Sequence, residues 1–135
     1  EDLDFALAGA VAVIMCVPGT KETENLMTRE RLGLLKKTSV LINVGRGSSL
    51  DQDALMDALN SGKIAGATLD VTTPEPLPAD HPLWNTKNLI LTPHVSGNMT
   101  LDITCDLDVN LFCDNLTRYC RKQPMKHIVE RSVGY

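Results

Sequence analysis

The sequence lacks three features, and each absence argues against a class of protein. It has no Lys/Arg-rich run and a net charge of −4, which argue against nucleic acid or an anionic membrane as the main partner. No apolar segment approaches the roughly 18 to 20 residues that span a bilayer, and the acidic residues 1–4 are unlike a signal peptide's start. Its four cysteines form no C-x-x-C pair, so we expect reduced thiols, no metal site and a cytoplasmic setting.

The residues that are present are sufficient for a folded domain. With 135 residues, 43% of them hydrophobic, the chain can bury a core without disulfides or metals. Small molecules or proteins are therefore the expected partners.

One stretch, residues 40–51, predicts both a structure and a reactive position. Val40 to Val44 is a short, β-branched apolar run, typical of a strand buried on both faces. Glycines flank Arg46 directly after it, and Asp51 is a good N-cap for the helix that follows. The pattern predicts a strand, then an exposed Arg46, then a helix. The two glycines suggest that something approaches the backbone closely there.

The rest of the chain repeats this alternation. Apolar runs at residues 11–17, 64–71 and 88–92 predict three more strands, the first of them central. Helices are expected over residues 1–9 and 28–35, and a long one capped by Thr100 whose apolar stripe comprises Cys105, Val109, Phe112, Leu116 and Cys120. Residues 72–82 are too Pro-rich for helix or central strand and predict an ordered loop. We expect an α/β fold, a partial doubly wound parallel (Rossmann-like) sheet with a long C-terminal helix.

Chemically capable residues follow the predicted strands. Arg46 follows the second strand, Asp70 and Glu75 follow the third, and His94 follows the fourth. Because the carboxyl ends of parallel strands meet at one edge, where ligands bind, these residues can share a site.

Each residue has a functional and a structural interpretation. Arg46 suits bidentate binding of a substrate carboxylate, although it can also be an ordinary surface residue. His94 suits general acid–base catalysis because imidazole titrates near neutral pH, and Glu75 suits the carboxylate that orients it and favours its charged form. Alone, His94 is more often structural and Glu75 a solvated loop residue. We expect His81 and His127 to lie on the surface.

The ordered motifs resemble those of the D-isomer-specific 2-hydroxyacid dehydrogenases. They extend over nearly the whole chain and are VPGTKET (17–23), NVGRG (43–47), GATLDV (66–71), PEPLP (74–78) and TPHVSG (92–97). The resemblance implies interconversion of a 2-keto acid and a D-2-hydroxy acid in a homodimer, with NAD as the cofactor and NADP as the alternative. It implies that Arg46 binds the substrate, that His94 donates the proton and that Glu75 is its partner.

The same resemblance implies a cofactor surface. Asp70 matches the position that bonds the nicotinamide carboxamide, and Gly97 lies in the loop beside the ring. The remaining cofactor positions are Val17, Pro18, Thr23, Val44, Gly45, Arg46 and His94.

Two departures from the family pattern matter. Thr72-Thr73 stands where an aromatic and an acid are frequent, which affects the expected substrate preference. The family's G-x-G-x-x-G, ribose-binding acid and substrate domain have no counterpart here. We therefore expect a fragment. Residues 1–98 would be the C-terminal half of the NAD(P)-binding domain, with an open edge at strand 11–17, and residues 99–135 a helix and tail that return to the substrate domain.

Three functional hypotheses follow. The first is a piece of an enzyme of the glyoxylate/hydroxypyruvate reductase or phosphoglycerate dehydrogenase type, since Glu75 argues against formate dehydrogenase, which carries Gln there. The second is an NAD(H)-binding corepressor of the same fold. The third is an inactive truncated product. The motifs do not separate the first two, nor do they identify the keto acid or decide between NAD and NADP.

Overall fold

The computed structural model describes residues 3–97 and 101–132 of the chain. By its internal contacts the chain divides into two units, Glu1–Val95 and Ser96–Tyr135. The boundary expected between residues 98 and 99 lies outside the described residues.

A four-stranded parallel sheet forms the centre of the first unit. Its strands, in spatial as in chain order, are β1 (Ala12–Met15), β2 (Val40–Asn43), β3 (Gly66–Leu69) and β4 (Leu89–Leu91). All three neighbouring pairs are parallel, which confirms the predicted α/β sheet. Each strand is shorter than the apolar run that predicted it.

Three helices accompany the sheet: α1 (Leu3–Gly9), α2 (Arg29–Leu34) and α3 (Gln52–Asn60). The two later helices begin as predicted. Thr28 accepts a hydrogen bond from the backbone N–H of Arg31, and Asp51 accepts one from that of Ala54. The Pro-rich segment is a loop, followed by a short 3-10 turn at Pro82–Asn85 that was not predicted.

The core lies between these helices and one face of the sheet. Leu41 and Leu69 are completely buried and pack with leucines of all three helices. On the opposite face Ile14 and Ile90 are 63% and 62% exposed. In β2, the strand expected to be buried on both faces, Leu41 and Asn43 are 0% exposed, whereas Val40 is 37% exposed and Ile42 is half-buried. That expectation is therefore wrong. An apolar run predicts a strand with apolar side chains on both faces of the sheet. It does not show whether other segments of this chain pack on both faces.

The first strand was expected to be central, but β1 lies at an end of this sheet. Among the described residues β1 pairs with β2 alone, so β1 is an edge strand of this sheet and its other edge is open.

The second unit contains the long helix α4 (Asp102–Cys120), which confirms the predicted C-terminal helix. The expected cap, Thr100, lies outside the described residues, and Leu101 occupies the N-cap position. None of the helix residues is buried, so its apolar stripe is uncovered in this structure. No helix in the described part of the chain has the length and apolar character needed to cross a bilayer.

Candidate active site

The carboxyl ends of the four strands lie in register at one edge of the sheet. In adjacent strands Met15 is aligned with Asn43, Asn43 with Leu69, and Leu69 with Leu91. Because Arg46, Asp70 and His94 follow these aligned ends, the structure brings three predicted site residues to the same edge.

The backbone at Arg46 is held by two buried polar side chains. The amide of Asn43 donates from Nδ2 to the Arg46 carbonyl at 3.0 Å and accepts from the Gly45 N–H at 3.0 Å. The hydroxyl of Ser49 donates to the same Arg46 carbonyl at 2.7 Å. Both side chains are 0% exposed, whereas Arg46 is exposed, as predicted. The backbone of Arg46 is thus fixed while its guanidinium is exposed to solvent. The Nη1 of Arg46 donates to the Gly45 carbonyl at 2.7 Å.

The glycines beside Arg46 are required by neighbouring backbone. A Cβ atom at position 45 would lie 2.6 Å from the Val17 carbonyl oxygen, and one at position 47 would lie 2.2 Å from the Thr72 carbonyl. The close approach suggested by the sequence therefore comes from the chain itself. The loops after β1 and β3 pack directly against the loop that carries Arg46.

In the first unit, the side chains of His94 and Glu75 lie within ion-pair distance of each other. The Nδ1 atom of His94 lies 2.5 Å from Oε1 of Glu75, with the two side chains 44% and 40% exposed. Since an ionised carboxylate can only accept, Nδ1 carries the shared proton and Nε2 is the ring nitrogen left to exchange a proton with a ligand. His94 has a φ of +54°, which is uncommon for a residue other than glycine. The sequence contained no clear signal of that backbone conformation.

Asp70 is buried and braces the segment that carries His94. It is 3% exposed, and its Oδ1 accepts from the Thr92 hydroxyl at 2.5 Å and from the Val95 N–H at 2.9 Å. These bonds hold the backbone on both sides of His94. Asp70 therefore has a structural role in addition to any contact with a ligand.

A pocket of about 430 Å³ lies beside this pair. Its lining residues are Asp70, Thr72, Glu75, Pro76, Leu77, Trp84, Leu91, Thr92, Pro93 and His94. The volume falls within the range of small-molecule sites, roughly 300–1,000 Å³, and few polar groups converge on mostly apolar walls, as is usual in such sites. Arg46 lies outside this lining, at the end of the neighbouring strand β2.

The other predicted cofactor positions lie after β1, after β2 and after β4. Val17 and Val44 are half-buried, and Pro18 and Gly97 are exposed. Thr23 donates from its hydroxyl to the Pro18 carbonyl at 2.6 Å, so it closes the turn that follows β1. No contact described here tests whether these residues bind a cofactor, and that role stays a prediction.

The two histidines expected on the surface differ. His127 is exposed, but His81 is half-buried, and its Nδ1 accepts from the Leu83 N–H at 3.2 Å to cap the turn at Pro82–Asn85. No cluster of three or more metal-ligating side chains occurs within residues 3–97 and 101–132.

Known proteins match both the sequence and this fold. Residues 1–96 match the model of the family described as D-isomer specific 2-hydroxyacid dehydrogenase, NAD binding domain. A glyoxylate reductase of Thermofilum pendens is 50% identical over 96 residues, 71% of this chain and 28% of that protein. The glyoxylate reductase/hydroxypyruvate reductase of Homo sapiens is 41% identical over 113 residues, 84% of this chain and 34% of that protein. The chain thus spans about a third of the length of these relatives.

Solved structures agree. A D-isomer specific 2-hydroxyacid dehydrogenase from Xanthobacter autotrophicus, in complex with NADPH and MES, superposes with a TM-score of 0.86 at 39% identity over 98% of this chain and 53% of that one. An NADPH-dependent glyoxylate/hydroxypyruvate reductase from Sinorhizobium meliloti, in complex with NADP and sulfate, has a TM-score of 0.86 at 27% identity over 98% of this chain and 42% of that one.

Proposed function

The chain belongs to the D-isomer-specific 2-hydroxyacid dehydrogenase family, and on that premise we propose that the protein containing it reduces a small 2-keto acid to a D-2-hydroxy acid. The observation that carries this proposal is the 2.5 Å contact between His94 Nδ1 and Glu75 Oε1 beside a pocket at the sheet edge. A paired imidazole in this place supplies what carbonyl reduction needs, a proton donor positioned at a ligand site.

We assign three roles in this reaction. Arg46 binds the substrate carboxylate and polarises the adjacent keto oxygen through its planar fork of N–H donors. His94 gives the proton on Nε2 to the carbonyl oxygen as negative charge develops there, and Glu75 stabilises the imidazolium until that transfer. These roles are proposals, supported by the placement of all three residues after aligned strands of one sheet.

The residues present fit the nicotinamide end of an NAD(P) cofactor. The pocket beside His94 has apolar walls suited to a planar ring, and the buried carboxylate of Asp70 supplies acceptor oxygens suited to a carboxamide N–H. A bound reduced nicotinamide supplies the hydride. The sequence contains no G-x-G-x-x-G segment to hold a pyrophosphate, so we expect these 135 residues alone to bind NADH weakly.

Substrates of the glyoxylate and hydroxypyruvate type are our first candidates. Support comes from the names of relatives that are at least 41% identical, which include reductases of both acids. We take NAD as the cofactor, because the matching family model is described as an NAD binding domain. NADP stays open, because the two solved structures cited above hold NADPH and NADP.

Assembly and location are also proposals. We expect a homodimer with a small keto acid as its ligand and a cytoplasmic setting. All four cysteines are exposed, and their spacing contains no C-x-x-C pair, which we take as support for a reducing compartment.

The experiment is turnover of a keto-acid panel by the complete protein, meaning the product of the reading frame that contains these 135 residues. NADH oxidation would be followed with glyoxylate, hydroxypyruvate and 3-phosphohydroxypyruvate, and the same series repeated with NADPH. Turnover of at least one acid, with the D-isomer as product, supports the enzyme. Tight NADH binding without turnover of any acid would instead support the corepressor type, and neither binding nor turnover would support an inactive product.

A further inference from the structure

One side chain outside the pocket holds the loop that carries Glu75. The amide of Gln52 donates from Nε2 to the Thr73 carbonyl at 2.5 Å, while its Oε1 accepts from the Thr73 N–H at 2.9 Å. Both polar groups of one residue are therefore bound by both ends of one side-chain amide. Among the uncharged side chains only Asn and Gln carry a donor and an acceptor in this arrangement, and Gln has the greater reach.

Gln52 is itself anchored to the rigid part of the molecule. It is the first residue of α3, whose N-cap Asp51 accepts from the Ala54 N–H at 2.9 Å. The helix buries Leu55 and Leu59, with 0% and 1% exposure, in the core. The two hydrogen bonds between Gln52 and Thr73, called the clamp below, thus join the loop to a packed helix rather than to another loop.

Thr73 lies two residues before Glu75, at the start of the Pro-rich loop. The Thr72 hydroxyl donates to the Pro74 carbonyl at 3.0 Å, which tightens the same segment. At the far end of the loop the indole N–H of Trp84 donates to the Pro78 carbonyl at 2.7 Å. Glu75 is therefore carried by a segment fastened at both ends, although it belongs to no helix or strand.

We propose that Gln52 is a positioning residue that holds Glu75 within hydrogen-bonding distance of His94. This inference rests on the proposed function, since it assigns a role in the same site, but it adds a residue that lies outside the pocket lining. Without the clamp the loop samples more conformations, so placing the Glu75 carboxylate beside the His94 ring costs more conformational entropy. Anchoring Thr73 to the helix α3 lowers that cost.

The test compares Gln52→Met with wild type in the complete protein. Methionine keeps the length of the side chain but loses both hydrogen bonds, and water can reach the exposed Thr73 backbone, so the fold is expected to survive. Asp53→Ala is the matched control, because it removes a favourable acid from the first turn of α3 without touching the clamp. The carboxylates lining the pocket, Asp70 and Glu75, are present in both variants.

Two readouts separate positioning from general stability. The first is the set of ¹⁵N chemical shifts of the His94 ring, measured on ¹⁵N-labelled histidine and assigned with His94→Gln. They report the fraction of neutral rings that carry the proton on Nδ1, which the Glu75 contact favours. This Nδ1–H fraction should fall in Gln52→Met and stay unchanged in Asp53→Ala. The second is kcat for keto-acid reduction, expected to fall by about 10- to 100-fold in Gln52→Met, as it does when a catalytic group moves by about 1 Å.

A double-mutant cycle makes the test decisive. In a Glu75→Gln background, Gln52→Met should lower the Nδ1–H fraction no further, because the carboxylate that the clamp positions is gone. An unchanged Nδ1–H fraction in Gln52→Met, or equal changes with and without the Glu75 carboxylate, would overturn the clamp. If the fraction falls as expected but wild type reduces no keto acid, the clamp stands and the proposed enzyme function falls.

Discussion

Gly47 lies against Thr72 so closely that a Cβ atom at position 47 would be 2.2 Å from the Thr72 carbonyl carbon and oxygen. The loop that carries Arg46 and the loop that carries Glu75 are therefore in backbone contact. Their separation depends on a residue without a side chain, which leads to the first prediction.

Gly47→Ala should push these two loops apart and destabilise the fold. Overpacking of this kind typically costs about 1–3 kcal/mol. Gly33→Ala is the control, because that glycine lies within α2 with nothing within 4 Å of an added Cβ, and alanine should stabilise the helix by about 0.5–1 kcal/mol. Urea unfolding of the complete protein measures both changes. Equal stability of Gly47→Ala and wild type would contradict the contact.

Arg46→Lys should raise KM for the keto acid while the fold persists. An ammonium is a point charge and cannot reproduce bidentate binding of a carboxylate. Arg46 is exposed, so no buried charge is left unpaired. Steady-state kinetics and a melting curve measure the two properties. If KM is unchanged, Arg46 does not bind the substrate.

Glu75→Gln should lower kcat for keto-acid reduction while the fold persists. Glu75 Oε1 lies 2.5 Å from His94 Nδ1, where an ionised carboxylate orients the ring and stabilises the imidazolium that donates the proton. The amide removes that charge with little change in shape. Steady-state kinetics and a melting curve test this, and a kcat equal to that of wild type would mean that Glu75 is an ordinary loop residue.

In the second unit, an acid-sensitive link should hold the tail to α4. Bonds from Lys126 and then Arg118 lower the pKa of Asp114 from its usual value near 3.8. Because the folded-state pKa is the lower one, this stabilisation is present above about pH 4 and is lost as the pH falls through the lowered value. Asp114→Asn should remove it at every pH.

Amide exchange at Lys126, whose N–H donates to Asn115 Oδ1 at 2.8 Å, reports on this link. Exchange at neutral pH should be faster in Asp114→Asn than in wild type or in the control Asp108→Asn, an exposed acid of the same helix. Equal exchange in all three would show that the ion pairs of Asp114 do not hold the tail.

Local chemistry made much of the fold predictable. The caps Thr28 and Asp51 were identified because a short polar side chain satisfies N–H groups within its own turn. The common edge for Arg46, Asp70 and His94 followed from the alternation of strands and helices, which requires parallel strands. Burial on both faces was wrong for the described residues, because hydrophobicity alone does not reveal which segment covers a surface.

The supports of the site could not be predicted in the same way. Gln52 and Thr73 are separated by 21 residues, and nothing local distinguishes that glutamine from any other at the start of a helix. Asn43 is the last residue of β2, and the apolar residues around it predicted only a strand. The buried amide of Asn43 nevertheless holds the Arg46 carbonyl. Such partners become visible only when the loops are brought together.

The most direct test of the account is kcat of His94→Gln in the complete protein, measured with a keto acid that wild type reduces. Loss of a general acid should lower kcat by about 10²- to 10⁴-fold, while NADH affinity, followed by fluorescence titration, changes little. His127→Gln, which alters an exposed histidine of the second unit, is the control and should retain wild-type kcat. A His94→Gln protein with near-normal kcat would contradict the assignment of His94 as the proton donor.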